Sequence, residues 1–250
     1  MTGIVVPYHL DEYLPDLDAP IGADKAVSLK LPEGGAWERM AALYDRVAEV
    51  VAEAIGGGAR PVVASGDCTT ALGTVAGVQR AAGDLSVVWF DAHGDLNTEE
   101  ASPSGYLGGT PLRTLVGGGE PTVPAALGLR PVPEERVLLV DGRDLDPPEA
   151  AYLESAKIRR RDVASLATAN AGPLPPGPIY LHIDFDVIDA DDLPGLKFPV
   201  SPGPRLASVL AAAREVLATG RVAAVGLGCT WHPGGGSADL LRPHLAELLA

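Results

Sequence analysis

Acidic and imidazole side chains recur at a spacing of two residues in two short segments of the chain. Asp91, His93 and Asp95 alternate in one segment, and Asp184 and Asp186 alternate in the other. A period of two places alternate side chains of an extended backbone on the same side. Buried carboxylates this close repel one another, and divalent cations relieve that repulsion. The two segments together predict a metal site, whereas one alone would also be compatible with aspartates that cap helices or line turns.

The donor types indicate which metal and which chemistry to expect. Carboxylates combined with one imidazole suit Mn²⁺. Two cations bridged by shared carboxylates lower the pKa of a bridging water and make hydroxide available near neutral pH. We therefore expect two divalent metal ions, with Mn²⁺ favoured, and hydrolytic chemistry.

Six short apolar runs separate segments with a helical pattern, and these runs predict the elements that position the site. The predicted strands are residues 4–8, 61–64, 85–90, 136–140, 179–183 and 222–227. The predicted helices are residues 37–55, 69–82, 147–156, 204–218 and 237–249. Pro243 is expected to bend or interrupt the last helix. Two segments rich in Gly and Pro, 117–133 and 171–178, are predicted to be surface loops.

Alternating strands and helices predict an α/β fold with a parallel sheet covered by helices on both faces. The strand rhythm resumes after each loop, so we expect one domain that spans residues 1–250. Ligands of such sheets bind beyond the carboxyl ends of the strands. The alternating acidic segments stand at those ends.

The composition excludes some classes of partner. With 250 residues and 46% hydrophobic side chains, the chain can bury a large core. Its net charge of -14 repels nucleic acid and anionic membranes. The charge suits a small cationic or zwitterionic substrate, although it equally suits solubility alone. The two cysteines do not make a disulfide framework, and neither a signal peptide nor a run of roughly 18 apolar residues is evident. A cytoplasmic protein is the default expectation.

Three segments in this order resemble motifs of the arginase/agmatinase (ureohydrolase) family. They are Ser-Gly-Asp-Cys at 65–68, Asp-Ala-His-Gly-Asp at 91–95 and Asp-Phe-Asp at 184–186. The resemblance extends from about residue 61 to about residue 230. It implies a three-layer α/β/α sandwich around a mostly parallel sheet, in agreement with the strand and helix pattern. It also implies cleavage of a C–N bond in a guanidino, hydroxyguanidino or other amidino compound by metal-bound hydroxide.

The same resemblance implies roles for individual residues. One metal would be held by Cys68, Asp91, Asp95 and Asp184, and the other by Asp91, His93, Asp184 and Asp186. Asp91 and Asp184 would bridge the two metals, and Asp95 would also hydrogen-bond the hydroxide and handle its proton.

The resemblance also implies contacts with the substrate. Asn97 and Ser104 match positions that touch the substrate carboxylate in arginases. Asp144 and Asp146 match positions that help to bind its α-amino group. For Asp146, the alternative is a helix N-cap before two prolines.

Three positions depart from the family pattern. Cys68 and Gly108 stand where arginases have histidines, a metal ligand and a proton shuttle respectively, and Thr230 replaces the glutamate that holds the guanidinium. A neutral hydroxyl cannot form the bidentate pair that a guanidinium prefers. Cysteine at position 68 resembles the hydrolase of N-hydroxy-arginine in D-cycloserine biosynthesis, a substrate whose better leaving group needs less proton transfer. His232, in the loop near the pocket, is a candidate replacement for the missing proton carrier, whereas His182 is expected in the core.

Two hypotheses of different classes follow. The first is a metal-dependent amidinohydrolase that acts on a small guanidino or amidino molecule. The second is a degenerate, non-catalytic metal-binding family member with a regulatory or assembly role, suggested by the three departures. Family members often form homo-oligomers, so self-association is an open possibility.

Overall fold

The computed structural model describes residues 1–168 and 172–250, and its central element is an eight-stranded sheet. Its strand order is β4-β1-β5-β10-β9-β6-β7-β8, and the described strand pairs within it are all parallel. The sheet strands are β1 (Thr2–Val6), β4 (Lys25–Ala26), β5 (Pro61–Ser65), β6 (Ser86–His93), β7 (Val137–Asp144), β8 (Arg159–Arg161), β9 (Ile179–Asp184) and β10 (Val222–Gly228). A separate antiparallel hairpin consists of β2 (Tyr8–His9) and β3 (Glu12–Tyr13).

Helices connect most of the strands. They are α1 (Ala36–Gly56), α2 (Ala71–Ala82), α3 (Pro111–Leu115), α4 (Thr122–Leu127), α5 (Pro147–Ser155), α6 (Val163–Leu166), α7 (Leu206–Ala218) and α8 (Ser237–Leu249). Short 3-10 turns cover Leu107–Gly109, Glu134–Arg136 and Phe185–Val187. The described part of the chain has no helix with the length and apolar character needed to cross a membrane.

Two apolar layers cover the two faces of the sheet. Helices α1 and α2 pack on one face, and α6, α7 and α8 pack on the other. Successive residues of a strand point to opposite faces, so Val63 lies in the first layer while Val62 and Ala64 lie in the second. Trp89 and Phe90 of β6 divide between the layers in the same way. The predicted three-layer α/β/α sandwich is confirmed.

Two local predictions are wrong. Segment 117–133 contains a helix, α4, whose Val123 and Leu127 are buried against the core, so the glycines and prolines around it concealed a short packed element. Helix α8 is not interrupted at Pro243, so that outcome is wrong, whereas the bend that was its alternative stays a prediction. Buried leucines on its core side, including Leu241 and Leu245, hold it against the sheet despite the lost hydrogen bond. Of the second predicted loop, residue 171 lies outside the described residues, and residues 172–178 contain neither helix nor strand.

Candidate metal centre

The predicted polar residues converge at the carboxyl ends of five strands that are neighbours in the sheet. Strands β5, β10, β9, β6 and β7 lie side by side, although they are far apart along the chain. A pocket of about 160 Å³ opens above their ends. The predicted site residues that line it are Cys68, Asp91, His93, Asp95, Asn97, Ser104, Asp144, Asp146, Asp184, Asp186 and Thr230.

Two groups of donor atoms lie at the bottom of this pocket. Cys68, Asp91 and Asp184 form one group, and Asp91, His93 and Asp186 form the other. Within each group the donor atoms lie within 4.8 Å of one another. Asp91 belongs to both groups, as expected of a bridging carboxylate. Asp184, the second predicted bridge, belongs to the first group.

Neutral hydrogen bonds organise the group that contains Cys68. The Cys68 thiol donates to Asp184 Oδ2 over 2.8 Å, and the Thr230 hydroxyl donates to Asp184 Oδ1 over 2.7 Å. Burial, and then the negative charge of Asp184, raises the pKa of the Cys68 thiol well above its usual value. Burial and the nearby Asp91 raise the pKa of Asp184 to about 7. These shifts keep the Cys68 thiol protonated and donating to the carboxyl group of Asp184.

Ionic contacts organise the group that contains His93. Its Nδ1 lies 3.2 Å from Asp186 Oδ2 and 3.3 Å from Asp91 Oδ1. Burial opposes protonation of the ring, but the two carboxylates outweigh it and raise the pKa of His93 to about 12. His93 also outweighs the effect of burial on Asp91 and holds the pKa of that carboxyl below its usual value. The positive charge that these carboxylates require is supplied by the imidazolium.

Asp95 presents an unpaired carboxylate oxygen to the pocket. The residue is buried, and its backbone has a φ of 52°, a left-handed conformation that is uncommon outside glycine. Among the described residues, its Oδ2 has no hydrogen-bond partner. Burial, followed by the charge of Asp91, raises the pKa of Asp95 well above its usual value. A buried carboxylate oxygen without a partner, beside two donor groups, fits a site for divalent cations.

The rim of the pocket carries further polar groups. Asp146 forms a capping box with Glu149 at the start of α5, which confirms the alternative that it caps a helix. Asp146 nevertheless also lines the pocket, and its Oδ2 accepts a hydrogen bond from Asn97 Nδ2 over 2.8 Å. Ser104 and Asp144 are exposed at the opening.

Two histidines lie apart from the pocket lining. His232 is exposed, and its backbone amide donates to Gly195 O over 2.9 Å in a surface turn. This turn keeps His232 away from the residues that line the pocket. The structure therefore does not bring His232 to the site, contrary to the expectation from the sequence. His182 is buried, stacks on Trp89 with ring centroids 3.7 Å apart, and has its Nδ1 3.0 Å from the Tyr180 hydroxyl. Burial lowers the pKa of His182 to about 3, so it is a neutral core residue.

The sequence interpretation missed five residues of the pocket, namely Ser102, Tyr106, Gly109, Glu149 and Phe198. Glu149 is buried and accepts a hydrogen bond from the Leu96 amide over 2.8 Å. Its position three residues after the candidate N-cap is the capping-box spacing, a signal that would have identified it. Tyr106 and Phe198 also line the pocket, with ring centroids 5.3 Å apart. Their approach depends on tertiary packing of two loops, for which the sequence carries no local signal.

Comparisons with known proteins agree with this fold and motif pattern. The family model described as "Arginase family" matches residues 10–227. An arginase from Bacillus caldovelox is 32% identical over 176 residues, which cover 64% of this chain and 57% of that protein. An arginase from Brevibacillus brevis is 35% identical over 171 residues, with the same coverage of both chains. The matched part thus spans little more than half the length of these relatives.

The structural comparison extends the similarity to the whole chain. The solved structure of the Bacillus caldovelox arginase superimposes with a TM-score of 0.83 and 23% sequence identity. The superposition covers 100% of this chain and 97% of that one. At this identity the superposition establishes a common fold, while the family model establishes membership. The chain belongs to the arginase family.

Proposed function

We propose that this protein hydrolyses a C–N bond of a small guanidino, hydroxyguanidino or other amidino compound with two divalent metal ions, preferably Mn²⁺. The observation that carries the proposal is the pair of donor groups that share Asp91 at the bottom of a polar pocket. Carboxylates, an imidazole and a thiol in this arrangement match a dinuclear site. When bound, two such cations supply a hydroxide nucleophile near neutral pH.

The residues of the chain divide this work between holding the cations and managing a proton. Cys68, Asp91 and Asp184 would hold one cation, and Asp91, His93 and Asp186 would hold the other. Thr230 orients Asp184 through its hydrogen bond to Oδ1. The unpaired Asp95 oxygen would complete the ligand set, and with the cations bound it would hydrogen-bond the attacking water and handle its proton.

The rim groups favour a substrate that carries both an ammonium and a carboxylate group. Asp144 and Asp146 provide carboxylate acceptors for an α-amino group. Asn97 and Ser104 provide donors for a carboxylate, because one amide hydrogen of Asn97 remains after its bond to Asp146. The substrate class is therefore a small zwitterionic amino acid with an amidino or guanidino end.

The departures at Thr230 and Gly108 favour a hydroxyguanidine over arginine itself. The Thr230 hydroxyl is neutral and already donates to Asp184. It therefore cannot substitute, in charge or in geometry, for the glutamate carboxylate that holds the guanidinium in other family members. Glycine at position 108 offers no group that transfers a proton. A leaving group that departs without that help is the better substrate.

The test is metal analysis and product release by protein purified without chelator and loaded with Mn²⁺. N-hydroxy-L-arginine and L-arginine are compared by release of hydroxyurea and urea. We expect about two metal ions per chain and turnover of the hydroxylated compound at least about tenfold faster, the equivalent of one lost charge-assisted contact. Asp91→Asn, which changes the donor that the two groups share, is measured in the same way, and Asp16→Asn at an exposed aspartate is its control.

Two other outcomes replace the proposal. Ordinary urea release from arginine would show that Thr230 and Gly108 do not limit the substrate. Two bound metals with no turnover of any amidino compound would identify a degenerate, metal-binding family member. The Cys68–Asp184 hydrogen bond, which occupies two of the three proposed ligands of one metal, is the feature that favours this second candidate.

A further inference from the structure

Gly108 borders a volume that is already filled by an aromatic ring. A Cβ atom built at Gly108 would lie well inside 3.0 Å of the Tyr106 ring and hydroxyl, closer than real Cβ atoms approach their neighbours. A side chain at position 108 and the observed position of Tyr106 therefore exclude each other. Both residues line the pocket.

The Tyr106 hydroxyl is held in place by His9. Its oxygen lies 3.0 Å from His9 Nε2, and the two rings stack with centroids 5.8 Å apart. His9 Nδ1 lies 2.9 Å from the carbonyl oxygen of Gly66. A carbonyl only accepts hydrogen bonds, so Nδ1 carries a hydrogen, and in that tautomer Nε2 is an acceptor. The Tyr106 hydroxyl consequently donates to His9, and its oxygen keeps lone pairs for a donor in the pocket.

The hairpin that carries His9 is fixed to the segment before Cys68. Gly66 N donates to Tyr8 O over 2.9 Å, and Leu10 N donates to Asp67 Oδ2 over 2.6 Å. A Cβ at Gly66 would lie 2.6 Å from Tyr8 O, so the close approach of the two backbones requires glycine there. These contacts give His9 a defined position relative to the metal centre.

We propose that Tyr106 is a specificity-determining residue whose hydroxyl, positioned by His9, accepts a hydrogen bond from the N–H or N–O–H group of the substrate's amidino end. This proposal rests on the proposed function and deepens it. Tyr106 occupies the space beside Gly108 and offers the substrate a neutral acceptor there. A hydroxyguanidine, which adds an O–H donor to this end of the molecule, is the ligand that this acceptor recognises best.

The first test compares Tyr106→Phe with Tyr13→Phe, a control at an exposed tyrosine. We expect kcat/KM for N-hydroxy-L-arginine to fall about 3- to 10-fold in Tyr106→Phe, the effect of one neutral hydrogen bond, and to stay unchanged in the control. The fall for L-arginine should be smaller. An equal effect on both compounds, or none, overturns the proposal.

A second variant separates positioning from structure. His9→Asn keeps a donor for the Gly66 carbonyl but lacks an acceptor that reaches Tyr106. It should reproduce the loss of preference for the hydroxylated compound at an unchanged melting temperature. A melting temperature that falls while the substrate preference stays unchanged would assign His9 a purely structural role and overturn its part of the proposal.

A third set of variants tests the mutual exclusion of the two positions. Gly108→Ala should lower kcat/KM for N-hydroxy-L-arginine at least as much as Tyr106→Phe does, because the new methyl group displaces the ring. In a Tyr106→Ala background, the same substitution should have no further effect. Losses that multiply independently would overturn the steric argument.

Ligand-induced thermal shifts in the presence of Mn²⁺ distinguish failure of this proposal from failure of the proposed function. A shift with N-hydroxy-L-arginine that shrinks in Tyr106→Phe supports the contact even if wild-type protein does not turn the compound over. Turnover that is indifferent to Tyr106 overturns the contact and leaves the hydrolase intact. If the wild-type protein shows neither a thermal shift nor turnover with N-hydroxy-L-arginine, both proposals are overturned.

Discussion

The two halves of the candidate metal centre both contain buried carboxyl groups but relieve their charge in opposite ways. In the Cys68 half, which comprises Cys68, Asp184 and Thr230, two neutral donors bond one carboxylate. In the His93 half, which comprises His93 and Asp186, the imidazolium of His93 lies between the carboxylates of Asp186 and Asp91. The Cys68 side chain is buried, whereas the His93 side chain is 30% exposed to the pocket.

This difference shows what a cation must displace in each half. Metal ligands bind as thiolate and neutral imidazole, so entry into either half releases a proton. In the His93 half a cation would replace a positive charge that is already present. In the Cys68 half a cation would first have to displace the proton of a buried thiol whose pKa is raised, and it would then meet a softer donor. The halves should therefore differ in affinity and in the metal they prefer.

The largest effect is expected when the residue that the two halves share is removed. Asp91→Ala should abolish metal binding in both halves, with an affinity loss of about 100-fold or more, because each donor group loses a carboxylate. Asp184→Ala should do the same if Asp184 also bridges. Asp186→Ala should spare the Cys68 half. Elemental analysis of the three variants measures this, and equal loss of both metals in all three would contradict the division into halves.

The next effect is on stability. Mn²⁺ at about 100 times its Kd should add about 2.7 kcal/mol to the free energy of unfolding, because it binds only the folded form. For a chain of this length that corresponds to a rise in Tm of about 5–10 °C. Asp186→Ala should keep part of this rise, and Asp16→Asn all of it. The absence of any rise at millimolar Mn²⁺, together with no heat of binding in calorimetry, would exclude the metal centre.

A smaller effect distinguishes the halves directly. Cys68→Ser should lower occupancy of the Cys68 half by about tenfold in affinity and leave the His93 half filled, because a hydroxyl is a weaker ligand than a thiolate. Cys68→His should raise Mn²⁺ affinity there, since an imidazole suits this ion better than sulfur does. Titration calorimetry resolves the two binding events. Unchanged stoichiometry and affinity in the serine variant would remove Cys68 from the ligand set.

The smallest effect is expected at His182, the neutral histidine of the core, which differs from His93 in having a lowered pKa. His182 has a folded pKa of about 3, below its usual value, so the unfolded chain takes up its proton first as the pH falls. Its contribution to stability is present above about pH 6.5 and is lost as the pH falls from there towards 3. Between about pH 6.5 and 5.5 the loss should be about 1 kcal/mol. His182→Gln should flatten this part of the urea-unfolding profile.

The matched control for that variant is His244→Gln, at an exposed histidine. It should follow the wild-type pH profile of unfolding free energy. A His182→Gln profile as steep as that of wild type between those pH values would show that the buried ring is not the group that titrates.

The sequence predicted those parts of the site that depend on strand geometry. The alternation at Asp91 and His93 follows from the period of the extended backbone of β6. The extended backbone predicted beyond the strand ends is wrong, because Asp186 lies in a 3-10 turn after β9 and Asp95 has a left-handed φ of 52°. The structure nevertheless brings these side chains to one pocket. The fold was accessible for the same reason, because buried parallel strands are apolar on both faces.

Other features depend on contacts that a local pattern does not encode. Strands β2 and β3 have two residues each, too few for a periodic signal, and yet they bring His9 to Tyr106. The exposed position of His232 depends on the hydrogen bond from its backbone amide to the carbonyl oxygen of Gly195, which lies more than thirty positions earlier in the chain.

The order of strands in the sheet also has a consequence for folding. The Cys68–Asp184 hydrogen bond joins residues 116 positions apart, and β10 separates β5 from β9 in the sheet. Strand β10 is the last strand in the chain order, so the two sides of the centre meet only when the C-terminal part has been inserted between them. Contacts between distant parts of a chain form late because loop closure precedes them. Capture of a metal ion during refolding should therefore lag behind the recovery of helical circular dichroism and mark completion of the sheet.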